Sequence, residues 1–132
     1  DRLNAPLTIM EKRRLGNEDQ TELLNVIGDV EGKVALTIDE EIATAGSLAN
    51  TVSALIEQGA KDVYACATHP VFSGPAIQRI TASPVKEVIV TDTVPVPDEK
   101  KLDKITVLSV ASLLGEAIHR IHSGQSIGAM FE

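Results

Sequence analysis

The sequence of 132 residues contains one cysteine, no tryptophan, one tyrosine and two phenylalanines. A lone cysteine, Cys66, excludes an internal disulfide and a four-thiolate zinc centre, and it fits a reducing, cytoplasmic setting. With aromatics at 2% of the chain, a core has to be assembled from Val, Ile, Leu and Ala, the palette of a parallel sheet covered by helices. No apolar run approaches the roughly 20 residues that cross a bilayer, and the N-terminus lacks the basic-then-apolar pattern of a secretory signal. Positive charge is scarce too. Against 19 Asp+Glu stand 12 Lys+Arg, a formal net charge of −7, which is the wrong sign for gripping a phosphate backbone. Neither nucleic acid nor a membrane is therefore expected as a partner. What is present, 43% hydrophobic and 23% charged residues, is one domain's worth of globular protein. The chain starts at Asp1 rather than Met, so it reads as a piece of something longer.

Along the chain, Leu7–Met10 is a β-prone run that meets the charged cluster Glu11-Lys12-Arg13-Arg14, read as an exposed loop or hairpin tip. Two further β-prone runs, Val26–Val30 and Val34–Ile38, flank the turn residues Glu31-Gly32-Lys33, and the second has the apolar content of a buried central strand. Helical spacing begins after Glu41: Leu48, Val52, Leu55 and Ile56 share one face, and Gly59 stops the helix. The unit recurs with a strand at Val63–Ala67, a short helix at Gly74–Ile80 and a strand at Val88–Val90. The Pro-containing, charged segment Thr93–Lys104 is a surface connection. A last strand, Ile105–Leu108, leads into a helix whose apolar face carries Val110, Leu113, Leu114, Ala117, Ile118 and Ile121. Strands alternating with helices predict an α/β fold, a three-layer sandwich with a mainly parallel sheet. Ligands of such sheets sit beyond the carboxyl ends of the strands, here after Ile38, Ala67 and Val90.

The stretch Asp39-Glu40-Glu41-Ile42-Ala43-Thr44-Ala45-Gly46-Ser47 delivers carboxylates at a strand end and then opens a helix through small residues. Such a loop can aim several backbone N–H groups at one anion, and the helix N-terminus adds partial positive charge. Thr44 and Ser47 offer hydroxyls, and Gly46 lets the backbone come close. The carboxylates suit sugar hydroxyls or a divalent metal, since both seek oxygen acceptors. A phosphate cradle beside hydroxyl-binding acids describes a phosphorylated ribose; solvated acids before an ordinary helix start fit the residues equally well. The Lys12-Arg13-Arg14 cluster is either a cationic arm over a polyphosphate or a solvated basic tip. His69 lies at the ligand edge of the sheet, and His119 and His122 are three apart on a helix without a third ligand. Gly28-x-x-x-Gly32-Lys33-Val34 is one residue short of a P-loop and lacks its Ser/Thr.

Several segments together carry a family resemblance: Ile9–Arg14, Asn25–Lys33, the loop at 39–47, Val63–Ala76, Val90–Pro95 and Ile118–His122. Over essentially its whole length the chain resembles the C-terminal domain of the ribose-phosphate pyrophosphokinases (PRPP synthetases), which have the type I phosphoribosyltransferase fold. The resemblance implies a single domain over residues 1–132, the C-terminal half of a parent enzyme whose N-terminal half is absent, and a homo-oligomer. It implies transfer of the pyrophosphoryl group of ATP to ribose 5-phosphate with Mg2+, giving PRPP and AMP, with the isolated chain itself inactive. By position, it places ribose 5-phosphate on Asp39, Glu40, Thr44, Ala45, Gly46 and Ser47, with Asp39 and Glu40 also facing the metal. Lys12 and Arg14 match catalytic loop cations, and Ser126 matches a regulatory position. The chain departs from the family loop at Glu40, Glu41 and Ala43, where the family has Asp, an apolar residue and Asp, and at Gly128, where a second regulatory Ser is common. A catalytically silent PRPP synthetase-associated regulatory protein is the alternative that Ala43 suggests, and a nucleobase phosphoribosyltransferase is a second.

Overall fold

A computed structural model describes the backbone of residues 5–14 and 22–131 and the side chains of 5–10 and 26–131. The element order is β1 (Ile9–Arg14), β2 (Glu22–Ile27), β3 (Val34–Glu41), α1 (Gly46–Glu57), β4 (Asp62–His69), α2 (Ala76–Ala82), β5 (Glu87–Thr91), β6 (Ile105–Leu108) and α3 (Ala111–His122), with 3-10 turns at Asp98–Lys100 and Gly128–Met130. Strands β3 to β6 form a four-stranded sheet in sequential order, and all three pairings are parallel. The parallel α/β architecture is thus the one the alternation predicts.

Strands β1 and β2 pair antiparallel as a separate hairpin. Its strand runs through Glu11–Arg14 instead of ending at Met10, because the backbone ladder continues through the charged residues, with Lys12 opposite Leu24 and Arg14 opposite Glu22. The second strand ends at Ile27, inside the run read as Val26–Val30.

A parallel sheet with sequential strand order advances in one direction, and right-handed crossovers then all fall on one face. The burial follows that rule. Val63, Ala65 and Ala67 of β4, and Val88 and Val90 of β5, are buried beneath Val52 and Leu55 of α1 and Ala76 and Ile80 of α2. The β5–β6 connection packs on the same core through Val96 and Leu102. Of the three layers expected, two are packed together in the described residues. The opposite face carries Val34, Leu36, Ile38 and Leu108, all exposed, with Ile38 at 72%. Strand β3 is therefore an edge strand with one bare face, although its apolar content reads as a central strand. Cys66, in register with Ile38, is partly exposed on that face. Burial, and secondarily the Glu87 carboxylate, push its thiol pKa up. Helix α3 buries none of its residues, and Leu113, Leu114, Ile118 and Ile121 are exposed.

Lys104 closes the α2 end. Its ammonium donates to the carbonyls of Ile80 and Ser83, both at 3.1 Å, and to that of Thr81 at 3.4 Å. A cation at the negative end of a helix is favourable, and here it binds the orphan carbonyls directly.

Candidate functional site

At the carboxyl end of β3 the chain leaves the sheet through residues 42–45 and enters α1. Ile42 is still tied to the neighbouring strand, its amide donating to His69 O at 3.0 Å. Beyond it, the carbonyls of Ile42 and Ala43 accept from the amides of Phe72 and Ser73, both at 2.9 Å. The carbonyl of Thr44 accepts from Nη1 of Arg79 at 2.9 Å. Ala45 then adopts the left-handed conformation, φ 56° and ψ 16°, as the N-cap residue of α1, with no side-chain cap bond. A left-handed residue next to a helical one turns successive N–H groups toward one point, an anion-binding concavity. Among the described residues, the amides of Ala43, Thr44, Ala45 and Gly46 have no backbone acceptor.

This loop opens into a concavity of about 1140 Å³ whose wall includes Thr8, Met10, Asp39, Glu41 and residues 42–47. Side chains alternate along β3, so Asp39 and Glu41 share one face and Glu40 takes the other. Glu40 does not line the concavity. The concavity thus takes in Asp39, Glu41, Thr44, Ala45, Gly46 and Ser47 along with Leu36 and Ile38 from the other face of β3, and leaves Glu40 off its wall. Asp39 Oδ1 accepts from the Glu40 amide at 2.8 Å. Among the described residues no group of three His, Cys, Asp or Glu side chains is placed to hold a metal ion. Two carboxylates remain compatible with Mg2+, which commonly takes one or two and completes its shell with water and substrate oxygens.

The family model described as a phosphoribosyl synthetase-associated domain matches residues 8–132. The chain belongs to this family. Among its curated relatives, ribose-phosphate pyrophosphokinases of Caldanaerobacter subterraneus and Oceanobacillus iheyensis are each 54% identical, over 131 and 132 residues. Those alignments take in 99% and 100% of the chain and 41% of each relative, so the chain spans about two fifths of their length. A crystal structure of phosphoribosylpyrophosphate synthetase from Mycobacterium smegmatis superposes with a TM-score of 0.76 at 43% identity, covering 80% of the chain and 35% of that structure.

The other residues singled out from the sequence lie apart from the loop. Lys12 and Arg14 stand on β1, the strand that continues from Met10 on the concavity wall; their side chains lie outside the described residues, as do residues 15–21. Ser126 follows α3, its carbonyl accepting from Nη1 of Arg120 at 3.1 Å. His69 Nδ1 pairs with the Thr93 hydroxyl at 2.9 Å, within a group in which Thr91 and Thr93 both donate to Thr68 O. At the end of β5, Asp92 Oδ1 accepts from the Val110 amide at 2.9 Å. The Ser109 hydroxyl, and after it that amide, hold the Asp92 carboxyl below the usual aspartate range. No helix of the described residues is long and apolar enough to cross a membrane. Sequence reasoning missed Arg79. It lies 35 residues from Thr44 on another helix, and only a predicted contact between α2 and the loop would have singled it out.

Proposed function

We propose that this chain supplies the ribose 5-phosphate half of a ribose-phosphate pyrophosphokinase, an ATP-dependent diphosphotransferase yielding PRPP and AMP. The observation that carries the reading is the loop 43–46, whose unpaired amides lead into the N-terminus of α1 beside Asp39. Main-chain N–H groups and the helix end bind the 5-phosphate there, helped by the hydroxyls of Thr44 and Ser47. Asp39 accepts hydrogen bonds from ribose hydroxyls and, with Glu41, offers oxygen ligands to Mg2+. When bound, Mg2+ neutralises phosphate charge. Glu41, which lines the concavity where Glu40 does not, supplies the carboxylate that Ala43 lacks. Lys12 and Arg14 stabilise the transferring group from the hairpin. The ATP half belongs to the remainder of a longer enzyme that acts as a homo-oligomer, and Ser126 belongs to a regulatory contact.

A catalytically silent regulatory relative is favoured by one observation. Ala43 puts no carboxylate at the loop, and its carbonyl is bound by Ser73. Thermal unfolding with ribose 5-phosphate separates the two readings. At ten times the dissociation constant a ligand of the native state adds about 1.4 kcal/mol, or about 5 °C for a domain of this size. Ribose without phosphate is expected to give no shift. Absence of a shift at millimolar ribose 5-phosphate would reject the substrate reading and leave the silent relative.

A further inference from the structure

Three consecutive carbonyls at the end of β3 are captured from the same side. Phe72 N–H takes that of Ile42, Ser73 N–H that of Ala43, and Nη1 of Arg79 that of Thr44, each at 2.9 Å. No peptide bond in the described residues is cis. In a trans peptide the N–H of the following residue points opposite to the C=O, so holding these three oxygens toward the β4–α2 segment turns the amides of Ala43, Thr44 and Ala45 the other way. Two of the three donors are main-chain groups that only a proline substitution would remove. The third is a side chain, and it acts at the peptide that leads into the left-handed residue.

Gly46 points to the same pairing. A β-carbon at this position would lie 3.1 Å from Nη1 of Arg79, tighter than ordinary van der Waals contact, while Gly46 has no left-handed φ that would call for glycine. The glycine leaves room for the guanidinium behind the loop.

We propose that Arg79 is the positioning residue of the anion loop: by holding the Thr44 carbonyl it keeps the Ala45 amide turned into the concavity, and it sets a fixed positive charge behind the anion. This rests on the reading of the loop as the 5-phosphate site. A guanidinium that merely braced α2 against α1 would affect stability and leave phosphate affinity alone.

The test is a titration of the 15N-labelled protein with ribose 5-phosphate, following the amide resonances of Ala43 to Gly46. Wild type, Arg79→Gln and Arg79→Lys are compared, with urea unfolding measured in parallel. The wild type is expected to saturate with shifts at these amides. Arg79→Gln is expected to bind about tenfold more weakly, the scale of one hydrogen bond from a charged group, with the Ala45 shift reduced most. Arg79→Lys keeps the charge and one donor, and about threefold weaker binding is expected of it. Equal affinity and equal Ala45 shifts in wild type and Arg79→Gln would overturn the positioning role while leaving the phosphate site intact. No shift at these amides in the wild type would overturn the phosphate-site reading and this proposal together. Should Arg79→Gln not fold, the Lys variant carries the test, and a titration identical to wild type overturns the proposal.

Discussion

Ala45 is a non-glycine residue at φ 56° and only 5% exposed, so substitution there separates backbone strain from packing. The left-handed conformation costs an L-residue about 1–2 kcal/mol. Ala45→Gly removes that cost, but it loses burial of one methyl, about 0.8 kcal/mol, and frees the unfolded backbone by about 0.5–1 kcal/mol. These contributions nearly cancel, and stability is expected to change by less than about 1 kcal/mol in either direction. Ala45→Val keeps the strain, worsens it by β-branching, and forces two more carbons into a filled site; a loss of at least about 2 kcal/mol is expected. Urea unfolding, with the denaturant slope checked for constancy, gives both numbers. A loss above about 2 kcal/mol in the glycine variant, or a valine variant as stable as wild type, would show that position 45 does not hold the left-handed turn from which the anion loop is argued.

Lys104→Met keeps the aliphatic stem and removes the ammonium that bonds the carbonyls of Ile80 and Ser83. Destabilisation of about 1.5–3 kcal/mol is expected from the urea midpoint, and a change below about 0.5 kcal/mol would mean that water satisfies those carbonyls as well. Asp92 has a depressed pKa in the folded state, so its contribution is complete above the ordinary aspartate value and disappears as pH falls through the depressed one. Asp92→Asn is expected to flatten the acid side of the stability profile in that window. An unchanged acid slope in unfolding midpoints would refute the assignment.

The β3–α1–β4–α2–β5–β6–α3 succession was legible because each element carries its own period, and Gly59, at φ 89°, follows its helix where a stop was expected. The position of the loop between β3 and α1 was legible too, since its small residues sit between a strand and a helix in a contiguous stretch. Less accessible was anything decided between distant segments. The β1 ladder crosses Lys12 to Arg14 because β2 pairs with them, a non-local fact that overrides their charge. Apolar Leu36 and Ile38 suggested burial on both sides of β3, but composition does not record which side the crossovers take. Arg79 meets Thr44 only through the packing of α2, and the alternation that parts Glu40 from Asp39 depends on β3 extending to Glu41.

The one-way winding of β3 to β6 has its own consequence. Chain order and crossover handedness, not side-chain chemistry, determine which surface of the sheet meets water. No single substitution can shift that boundary; it can only make the wetted side more or less greasy. Shielding Val34, Leu36, Ile38 and Leu108 calls for an additional piece of polypeptide arriving from outside the consecutive run of strands.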